Sequence, residues 1–155
     1  MTRREAVEAL RAVLALELAA VEAVAADARS EATGAESKQE GKYDTRATEA
    51  SYLARGQAFR VVELRQLASW FGNLDLDATP GQAGLGTLVQ LGGDRDEWVF
   101  LAPVGGARAA VGGTTVRVIS PNSPLGAALV GLGVADGAEV RTPRGVVEIE
   151  VVALG

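Results

Sequence analysis

The chain changes grammar near residue 72. The stretch before it is dense in Ala, Leu, Glu and Arg and nearly free of Gly and Pro. All five prolines, at positions 80, 103, 121, 124 and 143, and most of the glycines lie after it. Pro breaks a helix interior by removing an amide hydrogen and clashing with the preceding turn, and Gly weakens one through its backbone freedom. Long helices are therefore open to the first part and closed to the second. Residues 72–80 (GNLDLDATP) read as the linker.

In the first part, Thr2 is a fair N-cap, and Glu5 three residues on completes a capping box. Val7, Leu10, Leu14, Leu18, Val21 and Ala25 recur at helical spacing, which predicts a helix to about Ser30. Thr45 caps a second helix, whose stripe is Ala50, Leu53, Gln57, Val61, Leu64, Ala68 and Phe71. Each helix is about 27 residues, about 40 Å at 1.5 Å per residue. Two such stripes joined by a short polar segment predict an antiparallel coiled-coil hairpin over 1–75, each helix burying the other's apolar face. The segment 31–44 (EATGAESKQEGKYD) is its polar tip, and holds both lysines of the chain, Lys38 and Lys42.

Residues 80–155 read as strands with one short helix. Residues 86–91, 97–102 and 114–119 carry β-branched residues and alternation, as do 138–142 and 146–152, which are joined by the turn Pro143-Arg144-Gly145. Ser123-Pro124 opens a helix, with Ser as N-cap and Pro at the first helical position. The fold class is thus α+β: a helical hairpin, then a largely antiparallel β domain with one short helix.

Composition removes whole classes of function. The 155 residues contain no Cys and no His. Disulfides, thiolate chemistry, Cys/His zinc sites, a His general base and haem with a His or Cys ligand are all excluded. The net charge of -5 argues against a coat for duplex nucleic acid, which needs dense Lys and Arg. Arg3-Arg4 precedes an apolar run, as in an export signal, but Glu5, Glu8, Glu17 and Glu22 interrupt it. The same charges argue against a membrane span. The expected location is the cytoplasm.

From Ile119 to Val152 the chain carries IS-x-x-SP opening a helix, A-L-x-G, a loop with Asp, V-x-T-P-x-G and E-I-x-V, in that order. This run resembles the C-terminal domain of the Gre-type bacterial transcription elongation factors, closely over about 35 residues and by layout over the whole chain. The resemblance implies an N-terminal coiled coil followed by an FKBP-like domain. It implies docking on the rim of the RNA polymerase secondary channel, with the coiled coil inside the channel. Tip carboxylates then help hold Mg²⁺ at the polymerase active site, where the polymerase cleaves backtracked RNA. Carboxylate oxygens suit Mg²⁺, which keeps several waters, and no His or Cys is needed.

Carried over by residue, Asn122, Ser123, Pro124 and the adjoining Leu125 fall on the docking loop; as plain chemistry, Ser123 and Pro124 are a helix cap. The family's tip pattern is roughly G-D-L-x-E-N-x-E-Y, its Asp and first Glu being the metal-directed pair. Aligned on Tyr43, Glu40 is read onto that Glu, the Asp position is Ser37 with Glu36 adjacent, and Lys42 replaces the second Glu. Glu36, Glu40 and Asp44 are the candidate catalytic carboxylates, with no metal bound stably by the protein alone. Lys38, Lys42, Arg46 and Arg55 are candidates to face RNA within the polymerase; a solvated surface is the bland reading of all of them. Three alternatives stand beside cleavage stimulation. One is a non-cleaving, channel-blocking regulator. Another is a prolyl isomerase, disfavoured because the second domain offers only Trp98 and Phe100, expected on opposite faces or unlike in burial. The last is a coiled-coil scaffold using Ala6, Ala9, Ala12, Ala15, Ala19 and Ala20 for close helix contact, where the Gre-like reading expects a monomer.

Overall fold

The computed structural model describes residues 1–35, 45–78 and 80–155. Two long helices, α1 (Arg3–Ala35) and α2 (Thr45–Gly72), precede six strands and a short helix. These are β1 (Leu88–Gly93), β2 (Glu97–Leu101), β3 (Arg108–Val111), β4 (Thr114–Ile119), α3 (Pro124–Leu129), β5 (Gly137–Thr142) and β6 (Gly145–Leu154).

The capping box at the start of α1 forms in both directions. Thr2 N donates to Glu5 Oε2 at 2.7 Å, and Glu5 N donates to Thr2 Oγ1 at 3.3 Å. α1 runs to Ala35, five residues past the expected end at Ser30. Nothing in 30–35 stops it: there is no Pro, and Gly34 falls in the last turn, where it weakens the helix least.

The predicted stripes meet, and their burial is graded. Val7, Leu10 and Leu14 of α1, with Leu64 and Phe71 of α2, are almost fully buried. Farther out, Leu18 and Val21 are only half-buried, and Leu16, Tyr52 and Phe59 are exposed. The hairpin is therefore rooted at its base. There Arg11 on α1 closes the end of α2: its Nε and Nη2 donate to the carbonyl of Phe71 at 3.0 and 2.6 Å. Helix C-terminal carbonyls lack partners within their own helix and carry partial negative charge, so a guanidinium there both bonds and neutralises. Arg3 reaches the second domain, its Nε donating to the carbonyl of Gly86 at 2.7 Å.

The sheet order is β3-β4-β2-β1-β6-β5. Neighbours pair antiparallel except β2 and β4, which run parallel and make the sheet mixed. β3 was not among the expected strands. Its sequence, RAAV, lacks β-branched alternation, and it forms as an edge strand through pairing with β4. The signal lay in the turn: Gly112-Gly113 adopts φ of 56° and 83°, the left-handed pair that a two-residue hairpin demands.

Alternation along the strands splits the apolar residues into two cores. On one face Leu88, Phe100, Ala109, Val116 and Val118 pack with Val7, Leu10, Leu14, Leu64 and Phe71 of the hairpin base. On the other, Val89, Leu91, Val99, Leu101, Ile119, Ile149 and Val151 pack with Leu125 and Leu129 of α3. The sheet is thus the middle of three layers, and the hairpin base shares the first core. Trp98 and Phe100 lie on one face, not opposite faces, because residues two apart in a strand point the same way. They do differ in burial: Phe100 is fully buried and Trp98 half-buried.

Candidate functional site

The candidate loop follows β4, at the point where the chain turns into α3. Its geometry rests on Ser120 and Ser123. Ser123 Oγ donates to the carbonyl of Ser120 at 2.7 Å and accepts from Gly126 N at 3.1 Å. Ser123 sits in extended backbone, φ -79° and ψ 153°, with Pro124 at the start of the helix. Ser120 Oγ donates to the carbonyl of Pro103 at 3.2 Å and accepts from Asn122 N at 3.2 Å, tying the loop to the β2–β3 connection. Gly126 is required: a Cβ there would lie 2.0 Å from the carbonyl oxygen of Ser120.

These bonds sort the four predicted docking residues. Ser123 is half-buried and used inside the loop, and Leu125 is buried in the core beneath α3. Asn122 and Pro124 are exposed. The loop is thus fixed from within and leaves an amide and a pyrrolidine ring at the surface. Near the far end of α3, Val130 and Val134 are exposed apolar side chains that sequence reasoning did not single out; a hydrophobic pattern alone does not distinguish them from core residues.

Glu36, Lys38, Glu40, Lys42, Tyr43 and Asp44 lie outside the described residues, as does the side chain of Arg46. Arg55 is exposed on α2. Among the described residues no group of three or more acidic side chains is arranged to hold a metal ion. No described helix is long and apolar enough to cross a membrane.

The aromatic residues of the sheet leave no room for an isomerase pocket between them. Phe100 lies with its ring centroid 5.3 Å from that of Phe71 and 6.4 Å from that of Trp70. The hairpin base fills the face that such a pocket would need. The alanines proposed for close helix contact also divide: Ala6 is buried and Ala9 half-buried at the base, whereas Ala12, Ala15, Ala19 and Ala20 are exposed.

Residues 81–155 match the family described as "Transcription elongation factor, GreA/GreB, C-term". Among solved structures, the GreA factor homolog 1 (Gfh1) of Thermus thermophilus is similar at 22% identity, over 94% of each chain, with a TM-score of 0.38. Thermus aquaticus Gfh1 is similar at 21% identity over 91% of this chain and 90% of that one, with a TM-score of 0.39. The elongation factor GreA/GreB of Nitrosomonas europaea is similar at 19% identity, over 59% of this chain and 78% of that one, with a TM-score of 0.36. No curated protein matches.

Proposed function

We propose that this chain, whose residues 81–155 match the C-terminal domain of the GreA/GreB transcription elongation factors, acts on bacterial RNA polymerase. It docks through the Asn122–Pro124 loop at the rim of the secondary channel. It inserts the hairpin into the channel and modulates backtracked complexes there. The observation that carries this reading is the loop itself: a family motif held rigid from within, with Asn122 and Pro124 left free at the surface. The hairpin supports it by reach, since about 20 residues of α1 beyond Leu14 extend about 30 Å.

Whether the docked factor promotes cleavage turns on the tip. Reading Glu40 onto the pattern's first Glu requires one residue fewer before Tyr43 than the pattern has. A gap-free count from Tyr43 places the Asp position on Glu36, the first Glu on Gln39 and the second on Lys42. In that register one carboxylate of the metal-directed pair becomes a neutral amide. Gln39 and Lys42 weaken the tip's attraction for Mg²⁺, and this favours the non-cleaving regulator as the second reading.

A pull-down on core polymerase tests the docking. Asn122→Ala and Pro124→Ala should each reduce retention with no change in melting temperature; full retention in both overturns the docking role. A cleavage assay on a stalled complex then separates the two mechanisms. Shortening lost in Glu36→Ala or Glu40→Ala identifies a stimulator. Binding of the wild-type chain without shortening identifies a regulator. A dimeric mass in solution would favour the scaffold instead.

A further inference from the structure

Near the β3–β4 edge of the sheet, a cavity of about 580 Å³ is lined by Gln90, Asp96, Glu97, Trp98, Arg108, Thr114, Thr115 and Arg117. Its charges are unevenly satisfied. Glu97 accepts from Arg117 through two nitrogens at 3.0–3.2 Å, and from Arg95 at 3.2 Å. Arg108 stands directly opposite Arg117 in the β3–β4 register. Among the described residues the side chain of Arg108 has neither an ion pair nor a hydrogen bond. Like charges placed directly across two strands destabilise the pair. Here the pair joins the edge strand β3 to its neighbour β4, with three arginines set against Glu97 and an exposed Asp96.

We propose that this corner is a binding site for a small phosphate-bearing ligand, a role independent of polymerase docking. A phosphate fits the donor set: the free guanidinium of Arg108, the remaining N–H of Arg117, and the hydroxyl of Thr115, which shares the strand face of Arg117. Guanidinium forks bind such oxyanions with two parallel bonds, and an anion between Arg108 and Arg117 removes their repulsion. The cavity has the volume of a small-molecule site and exceeds what one phosphate fills. The remainder of the cavity, beside Asp96, leaves room for the organic part of a nucleotide; the ring of Trp98 packs on the hairpin side of the sheet and does not stack on it. Free pyrophosphate and a nucleoside diphosphate share the phosphate chemistry and differ in that part.

Calorimetric titration of the full chain with pyrophosphate and with ADP, at matched ionic strength, tests the site. Saturable binding with a dissociation constant below about 1 mM is expected for at least one of them. Tighter binding of ADP assigns a nucleotide, and equal or tighter binding of pyrophosphate assigns the phosphate alone. Arg108→Ala should weaken the bound ligand about tenfold or more. Its unliganded melting temperature should stay level or rise, because a like-charge contact is removed. Arg144→Ala, at the distant β5–β6 turn, should bind as the wild type does. Absence of saturable binding for both ligands overturns the proposal, and so does an Arg108→Ala variant that binds as tightly as the wild type.

Discussion

At the scale of single residues, chemistry read from neighbours a few positions apart was legible. The Thr2–Glu5 box and the Ser123–Pro124 cap depend on local spacing, and both form. What was not legible was the demand on Gly126, because the atom it must avoid belongs to Ser120, brought near only by the folded loop. Gly126→Ala should cost about 3 kcal/mol, the strain of forcing a methyl group into packed backbone. Urea denaturation of the variant checks this, and a loss under about 0.5 kcal/mol would show that the loop yields easily. Glu5 gives a pH signature. Its carboxylate is held below its usual pKa, first by the backbone N–H of Thr2 and then by the Thr2 hydroxyl. Because the folded value is depressed, the stabilisation is present above the unfolded value near 4.5 and is lost as pH falls through the folded one. An NMR titration should find the Glu5 pKa moved up towards the ordinary value in Thr2→Ala.

At the scale of elements, period and punctuation located the long helices, and they missed β3, whose only strong mark is the Gly112-Gly113 turn. Pattern also passed over a weak place in the hairpin. Ala20, Val21, Val24, Gly56, Gln57 and Arg60 line a cavity of about 290 Å³ between the helices. The Oε1 of Gln57 is buried there without a hydrogen-bond partner. A Cβ at Gly56 would meet nothing within 4 Å. Gly56→Ala should therefore stabilise α2 by about 1 kcal/mol through backbone entropy alone. Gln57→Leu should add about 1–2 kcal/mol by removing an unsatisfied buried acceptor. Circular dichroism melts measure both, and a lowered midpoint in Gly56→Ala would mean that the site is tighter than its geometry indicates.

At the scale of the whole molecule, composition marked the change from hairpin to β domain and gave no sign that the two share a core. That requires knowing which sheet face receives Val7, Leu10 and Phe71, which only the three-dimensional pairing decides. Leu10 is fully buried at this junction. Leu10→Ala should cost about 3–4 kcal/mol, the loss of buried methyl groups plus a residual cavity. It should lower helix and sheet signals together in one transition. Far-ultraviolet ellipticity and Trp fluorescence followed in the same melt test this. Separate midpoints would mean that hairpin and sheet unfold independently.

The clasp of Arg11 on the carbonyls of Phe71 and Gly72 lies at the base of a long arm. A lever magnifies angular play at its pivot. With about 30 Å of helix beyond the base, a rotation of about 5° there swings the far end by about 3 Å, the length of a hydrogen bond. Direction is set where the arm is mounted, so a substitution at Arg11 displaces the outer turns of α1 and α2, which it does not touch.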